Sequence, residues 1–311
     1  MKIVVTGALG HIGSALIRAL PNRFAGAEIV MIDNMATLRY PSLFDLPAHG
    51  RYRFVEADVR HADLRPLFKD AHAAVHLAAT TDAAGSVNNP AATEANNYNA
   101  TAKVAAACAE TSTRLIHLSS TSVYGTQAET VSEDCSAEEL KPQSPYAESK
   151  LKEEKLLRSL HNSGLQAVIC RFGTIFGASP GMRFHTAVHK FCWQAVMRQP
   201  LTIWRTAYDQ KRPYLELGDA VRAITHIIER DLFDGTIYNI LTLNATVRDL
   251  VEAIRKLLPD INLSFVDSPI MNQLSYEVSS QRFIDRGFAF TGDLQRGIGE
   301  TVALLETANR G

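Results

Sequence analysis

The run from Lys2 to Gly13 narrows most sharply what this chain can fold into. Lys2 to Thr6 is short, apolar and β-branched, and Gly7, Gly10 and Gly13 follow at intervals of three before a helical pattern that continues to Leu20. A strand that ends in such a turn and re-enters as a helix is a βα unit. Glycine permits the tight reversal, brings backbone close to whatever lies above it, and lets the helix pack on the strand. The free N–H groups at the helix start then suit an anion such as a pyrophosphate. The spacing is G-x-x-G-x-x-G rather than G-x-G-x-x-G, so the triplet alone would also fit a plain glycine turn.

The same alternation continues downstream. Strands are expected at Glu28 to Ile32, Tyr52 to Glu56, Ala73 to Leu77, Arg114 to Ser119 and Ala167 to Phe172. Helical patterns fall between them, at Ala62 to Lys69, Asn97 to Thr111 and Tyr146 to Leu160. Strands alternating with helices imply an α/β fold with a doubly wound parallel sheet of Rossmann type. After about Gly173 the rhythm breaks, although a helix at Gly218 to Glu229 and a strand at Thr236 to Ile240 read as returns to the first unit. This predicts a nucleotide-binding domain of residues 1–172 plus 213–243. A smaller mixed α/β substrate-binding lobe, 173–212 plus 244–311, should lie over the sheet's carboxyl edge, where such folds bind ligands.

Composition removes several function classes. With 46% hydrophobic residues, 21% charged and a formal net charge of −1, there is no basic excess for general nucleic-acid binding. No apolar run reaches membrane-spanning length. Cys108, Cys135, Cys170 and Cys192 are scattered with no C-x-x-C pair, so neither a metal site nor a disulfide framework is expected. The expectation is a cytoplasmic protein with reduced thiols. His76, His185 and His189 stand alone and are expected to be structural or exposed.

Two further sites carry chemistry. Asp33 closes the second strand, 20 residues beyond Gly13, where a carboxylate accepts hydrogen bonds from ribose hydroxyls. It would repel the extra phosphate of NADP, and Asn34 rather than a cation follows, so NAD is the expected cofactor. Tyr146 and Lys150 lie four residues apart on one helix face. A phenol with an ordinary pKa of about 10 needs a neighbouring cation to act as a base at neutral pH, and a lysine supplies it. The hydroxyl-rich run from Ser119 to Ser122 follows an apolar strand and projects from its carboxyl end toward the same cleft.

These residues resemble the extended short-chain dehydrogenase/reductase family, in particular its nucleotide-sugar epimerases, dehydratases and reductases. The resemblance covers most of the chain: Gly7/Gly10/Gly13, Asp33-Asn34, Asp58-Val59, His76-Leu77-Ala78-Ala79, Asn97 to Thr101, Val123-Tyr124-Gly125, Tyr146/Lys150 and Arg171-Phe172. It implies that Asp58 and Val59 meet the adenine, and that Leu77, Ala78 and Ala79 wall the nicotinamide ribose. His11, Ile12 and Phe172 complete the cofactor contacts it implies. Asn97 would support Lys150 through helix backbone and water, and Ser120 would be the catalytic hydroxyl, with Thr121 as the fallback. Arg212 resembles an arginine that grips the substrate's pyrophosphate, a surface arginine being the other reading.

The departures bear on the reaction. The family's dehydratases carry an Asp-Glu pair after the catalytic hydroxyl and its decarboxylases a glutamate, whereas this chain has Thr121 and Ser122. Thr174 stands where an asparagine usually helps hold the sugar nucleotide. A second pyrophosphate arginine is not evident around Asn272 to Tyr276, and Arg282 is a poor positional match. The resemblance therefore implies an NAD-dependent nucleotide-sugar epimerase, acting at C4 through a 4-keto intermediate with Tyr146 as acid and base. The alternatives are a reductase or dehydrogenase of a keto-sugar or small polyol, and a non-catalytic NAD-binding regulator. A homodimer is implied through the Asn97 and Tyr146 helices, where Ala102, Ala105, Ala106 and Ala109 offer a small apolar face.

Overall fold

The apolar start of the chain forms β1 (Lys2–Thr6), turns through the glycines, and enters α1 (His11–Arg23) directly. The computed structural model describes residues 1–83, 85–125, 130–267 and 275–308. Next come β2 (Glu28–Asp33), β3 (Arg51–Glu56), α2 (Arg65–Phe68) and β4 (Ala73–His76). The first half closes with α3 (Pro90–Thr111), β5 (Arg114–Ser120), α4 (Pro145–Asn162) and β6 (Ala167–Phe172). Then follow β7 (Thr174–Phe176), α5 (Ala187–Val196), β8 (Leu201–Trp204), β9 (Lys211–Glu216) and α6 (Leu217–Arg230). The chain ends with β10 (Asp234–Ile240), β11 (Leu243–Thr246), α7 (Val247–Arg255), β12 (Leu263–Val266), α8 (Gln281–Ile284) and α9 (Leu294–Glu306).

Seven strands form one parallel sheet in the order β10-β6-β5-β4-β1-β2-β3. Winding reverses between β1 and β4, which are paired from Ile3 with Ala73 to Thr6 with His76. Doubly wound sheets bind their ligands at this reversal, above the carboxyl ends. Within β1 the side chains alternate as a strand requires. Ile3 and Val5 join the core under α1 and α6, with Leu16, Ile17, Leu20, Ile224 and Ile227, and Val4 joins the opposite core under α3 and α4, with Val104, Ala105, Cys108 and Leu157. Each fully buried Leu or Ile contributes about 1.5–3 kcal/mol, so the register of β1 is firmly set.

A third core gathers α5, α7 and α9 against a β11-β9-β7 sheet and the β12-β8 pair. It is joined to the glycine turn by a polar seam. His11 Nε2 lies 2.7 Å from the Gly177 carbonyl, Ser179 Oγ donates to the His11 carbonyl at 2.9 Å, and Gly181 N–H donates to Ser14 Oγ at 3.0 Å. Among the described residues no helix is long and apolar enough to cross a membrane.

Several element ends differ from the sequence expectation, each for a local reason. The helix expected from Asn97 starts seven residues earlier, because Asn89 caps the Ala92 N–H and Pro90 takes the first turn. The helix expected at Ala62 to Lys69 is only Arg65–Phe68; Lys69 leaves helical geometry and Asp70 adopts φ 60°. α4 begins one residue before Tyr146, with Ser144 capping the Ala147 N–H.

Candidate active site

One cavity of about 790 Å³ runs over the carboxyl edge of the sheet, from the glycine turn to the third core. At its first end the backbone leaves no space to spare. Gly7 sits at φ 65°, and a Cβ there would lie 2.6 Å from the Ala78 nitrogen; a Cβ on Gly13 would lie 2.7 Å from the Ala8 carbonyl carbon. Gly10 N–H closes the turn on the Gly7 carbonyl at 3.1 Å. These glycines let the turn press on the end of β4 and the helix start press on the turn, the close helix–strand packing expected of a dinucleotide-binding turn.

Asp33 is shared between wall and ligand space. Its Oδ2 accepts from Leu9 N–H at 3.1 Å and its Oδ1 from Met35 N–H at 3.0 Å, which braces the turn and leaves carboxylate lone pairs toward the cavity. Asn34 Nδ2 donates to Asp58 Oδ2 at 3.3 Å. Asp58 holds the Arg60 guanidinium at 2.9 and 2.6 Å, and those hydrogen bonds keep its carboxyl well below the usual range. Val59, Ile12, Leu77, Ala78, Ala79 and Phe172 line the same space. His11 also lines it, but its ring faces Gly177 and His189, 4.8 Å away between ring centres. Burial, then the neighbouring His189, lowers its pKa to about 3, so it is neutral at pH 7.

At the sheet's middle the cavity meets Ser120, Tyr146 and Lys150 together. Ser120 Oγ accepts from Ser122 N–H at 3.2 Å and from the Ser122 hydroxyl at 2.9 Å, which leaves its own proton to donate outward. Thr121 is buried and donates to the Phe172 carbonyl at 3.3 Å, so of the two hydroxyls Ser120 is the one presented to a ligand. Lys150 is buried beneath Tyr146, its Nζ 6.0 Å from the phenol ring centre. The Asn97 carboxamide is engaged by Thr80, accepting its N–H at 2.8 Å and donating to its carbonyl at 2.9 Å. Lys150 Nζ itself donates to Glu153 Oε2 at 2.9 Å.

The far end is cationic. Arg212, on β9, lines the cavity, and one guanidinium nitrogen, Nη2, is buried with no hydrogen-bond partner among the described residues. Thr174 lines the cavity one strand away, on β7. Lys190 lines the cavity as well, Arg39 lines it at the glycine-turn end beside Gly10 and Asp33, and Arg183 lies between Arg39 and Tyr146; sequence reasoning missed all three. Arg183 donates to the Thr81 hydroxyl. No periodicity marks these cations: Arg39 follows Asp33 in an irregular loop, and Arg183 lies where the strand–helix rhythm has stopped. The stretch 272–274, where a second arginine was sought, lies outside the described residues. Arg282 does not line the cavity; it donates to the Ile237 carbonyl at 3.2 Å and pairs with Asp134.

Comparison with known proteins agrees with this geometry. The model of the NAD dependent epimerase/dehydratase family matches residues 3–240. An uncharacterised UDP-glucose epimerase of Bacillus subtilis is 33% identical over 249 residues, 77% of this chain and 76% of that protein. The UDP-glucose 4-epimerase of Azospirillum brasilense is 31% identical over 256 residues, 78% of this chain and 69% of that protein. Against a trifunctional dehydratase–epimerase–reductase of Arabidopsis thaliana, 27% identical, the chain spans only 46% of the length. Among solved structures, a UDP-glucuronic acid 4-epimerase from Bacillus cereus, in complex with UDP-glucuronic acid and NAD, superposes with a TM-score of 0.91. It is 27% identical, and the match covers 99% of this chain and 100% of that one.

Proposed function

The chain belongs to the NAD dependent epimerase/dehydratase family, and from that premise we propose that it is an NAD-dependent nucleotide-sugar 4-epimerase. The observation that carries this reading is the opening of Ser120, Tyr146 and Lys150 onto one cavity whose other walls are a dinucleotide turn and a cationic end. Among the described lining residues the carboxylates are Asp33, Asp58 and Asp82. Asp33 and Asp58 are at the cofactor end, and Asp82 accepts the Gly85 N–H at 2.9 Å. The positions after Ser120, where the family's dehydratases place an acid and a base, are hydroxyls tied to Phe172 and Ser120. Proton transfer at a single carbinol is the chemistry these residues support.

Tyr146 takes the proton of the C4 hydroxyl, Ser120 donates to the same oxygen, and the Lys150 ammonium stabilises the phenolate from below. NAD held by the glycine turn and Asp33 would supply the hydride acceptor, and then the hydride donor, for C4. The same phenol then gives the proton back to the keto-sugar oxygen presented on its other face, so the cycle is redox-neutral. Arg212 and Arg183 suit the two pyrophosphates that share the cavity. The relatives named above take UDP-sugars, and we read the nucleotide as UDP on that likeness. The substrate lobe is then residues 173–212 and 244–311 apart from α8, whose Phe283 packs in the core under α1 and α6, and the helices α3 and α4, with Ala106 and Ala109 exposed, are the surface through which two copies pair. Four free thiols suit a reducing, cytoplasmic compartment.

Incubation with UDP-glucose, UDP-glucuronic acid and UDP-N-acetylglucosamine, read by chromatography together with absorbance of NADH, tests the proposal. A C4 epimer forming without net NADH is expected. Stoichiometric NADH would replace the epimerase by a dehydrogenase using the same side chains. Two substitutions probe the two ends separately. Asp33→Asn removes the charge that receives the ribose and repels a 2′-phosphate. Calorimetric titration should show NAD binding weakened roughly 10- to 100-fold, with discrimination against NADP reduced. Arg212→Met should raise KM for the nucleotide sugar roughly 10- to 100-fold and leave NAD binding within about twofold. An unchanged KM would return Arg212 to the ordinary run of arginines.

A further inference from the structure

Glu153 lies on α4 one turn past Lys150 and is fully buried. Every hydrogen bond recorded for its carboxylate arrives from a donor. Ser149 Oγ donates to Oε1 at 2.9 Å, and Thr101 Oγ1 and Lys150 Nζ each donate to Oε2 at 2.9 Å. The donor order continues back into the sheet. With its proton on Glu153, Thr101 accepts from His76 Nε2 at 3.2 Å, and His76 Nδ1 accepts from the Thr6 hydroxyl at 2.7 Å. A second imidazole completes the shell. His117 Nε2 from β5 is 3.3 Å from Glu153 Oε2 without hydrogen-bond geometry; burial, then Lys150, pushes its pKa well below the usual value, and among the described residues neither buried ring nitrogen has a hydrogen-bond partner.

A buried carboxylate persists only when paired and hydrogen-bonded, and an unsatisfied imidazole beside it is costly. Both have a rationale if Glu153 manages the lysine. We propose that Glu153, backed by His117, is a positioning pair for the proton-transfer step: it anchors the Lys150 ammonium and sets how much of that charge reaches Tyr146. When Lys150 turns toward a bound ribose, a rotation of the His117 ring would bring its Nε2, 3.3 Å from Glu153 Oε2, into line as the replacement donor. The charged and titratable groups facing the pair are His76 from β4, His117 from β5, and Tyr146 and Glu154 on α4; Arg171 from β6 holds Glu154 in a buried ion pair. From α3 comes only the neutral Thr101 hydroxyl. Burial acts to lower the Lys150 pKa, but Glu153, with Tyr146 behind it, outweighs burial and raises it.

The inference rests on Tyr146 as the acid and base, so its test needs a readout that does not depend on turnover. In the NAD-loaded protein, phenolate absorbance followed against pH, minus that of Tyr146→Phe, isolates Tyr146. Glu153→Gln keeps an oxygen for Lys150 and Thr101 and turns its amide toward the Ser149 hydroxyl, which can accept. It deletes only the negative charge. The phenolate midpoint should then fall by about one pH unit, with KM for the nucleotide sugar within about twofold. Should that variant be insoluble, Glu153→Asp retracts the carboxylate from Lys150 and should move the midpoint in the same direction. A midpoint unmoved in the soluble variant, with only a lower Tm, overturns the proposal and leaves Glu153 structural. A shifted midpoint in a protein that epimerises nothing keeps the positioning pair and removes the proposed reaction instead.

Discussion

Replacing Tyr146 by phenylalanine should lower kcat for epimerisation roughly 100- to 10,000-fold, the range that a positioned acid–base group supplies. The substitution removes one oxygen and little else. The ring is half-buried at the start of α4, and that end of the helix is held by other atoms: Ser144 caps the Ala147 N–H at 3.2 Å, and the Tyr146 N–H donates to Ser86 Oγ at 3.3 Å. NAD binding and Tm should therefore stay close to those of the parent, which separates lost chemistry from lost fold. Steady-state kinetics with a calorimetric NAD titration measures both. A kcat within tenfold of the parent would mean that another group moves the proton, and Ser120 would be the next to change.

Gly7→Ala should be a strongly damaging single-methyl change at the glycine turn. At φ 65° the new residue sits in the left-handed region, which costs about 1–2 kcal/mol for a side chain. Its Cβ would also lie 2.6 to 2.8 Å from Leu77 and Ala78 backbone atoms at the end of β4, and these cannot move without parting the central strand pair. Strain and overpacking together predict a loss of about 2–4 kcal/mol and NAD binding weakened roughly tenfold or more. Gly26→Ala is the control. That glycine has φ 74° but nothing within 4 Å of its would-be Cβ, so it carries the strain without the collision. Thermal unfolding and NAD titration of both variants test the difference. Equal losses would show that the close approach to β4 does not matter.

What could be read in the sequence was local or periodic. The glycine turn, Asp33, and the Tyr146/Lys150 spacing each concern neighbours along one element, and the structure brings them to one cavity. The order of strands was legible because alternating strands and helices leave few ways to wind a sheet. Arg39 and Arg183 were not legible, since they come from irregular segments 144 residues apart and meet the cavity only through tertiary folding. Asn97 shows the opposite limit. Its helix was expected, but its carboxamide bonds to the Thr80 backbone, a contact across 17 residues that no spacing rule encodes. Glu153 lay in plain view three places after Lys150, yet an i,i+3 pair on a helix is ordinarily a solvated surface pair. Only its burial changes that reading.

The seam between the glycine turn and the segment at Gly177 to Gly181 makes the two binding regions mechanically one. His11 and Ser14 open the helix that faces the dinucleotide, and the same two residues hold the carbonyl of Gly177 and the N–H of Gly181, where the chain enters the third core. Any shift of that segment on filling of the sugar site would be transmitted to the turn through these hydrogen bonds. By thermodynamic reciprocity, whatever factor the occupied sugar site adds to NAD affinity, bound NAD returns to the sugar site in equal measure. A seam that tightens the turn when the sugar site fills would hold a cofactor that must serve again after every turnover most firmly while the oxidised sugar is present.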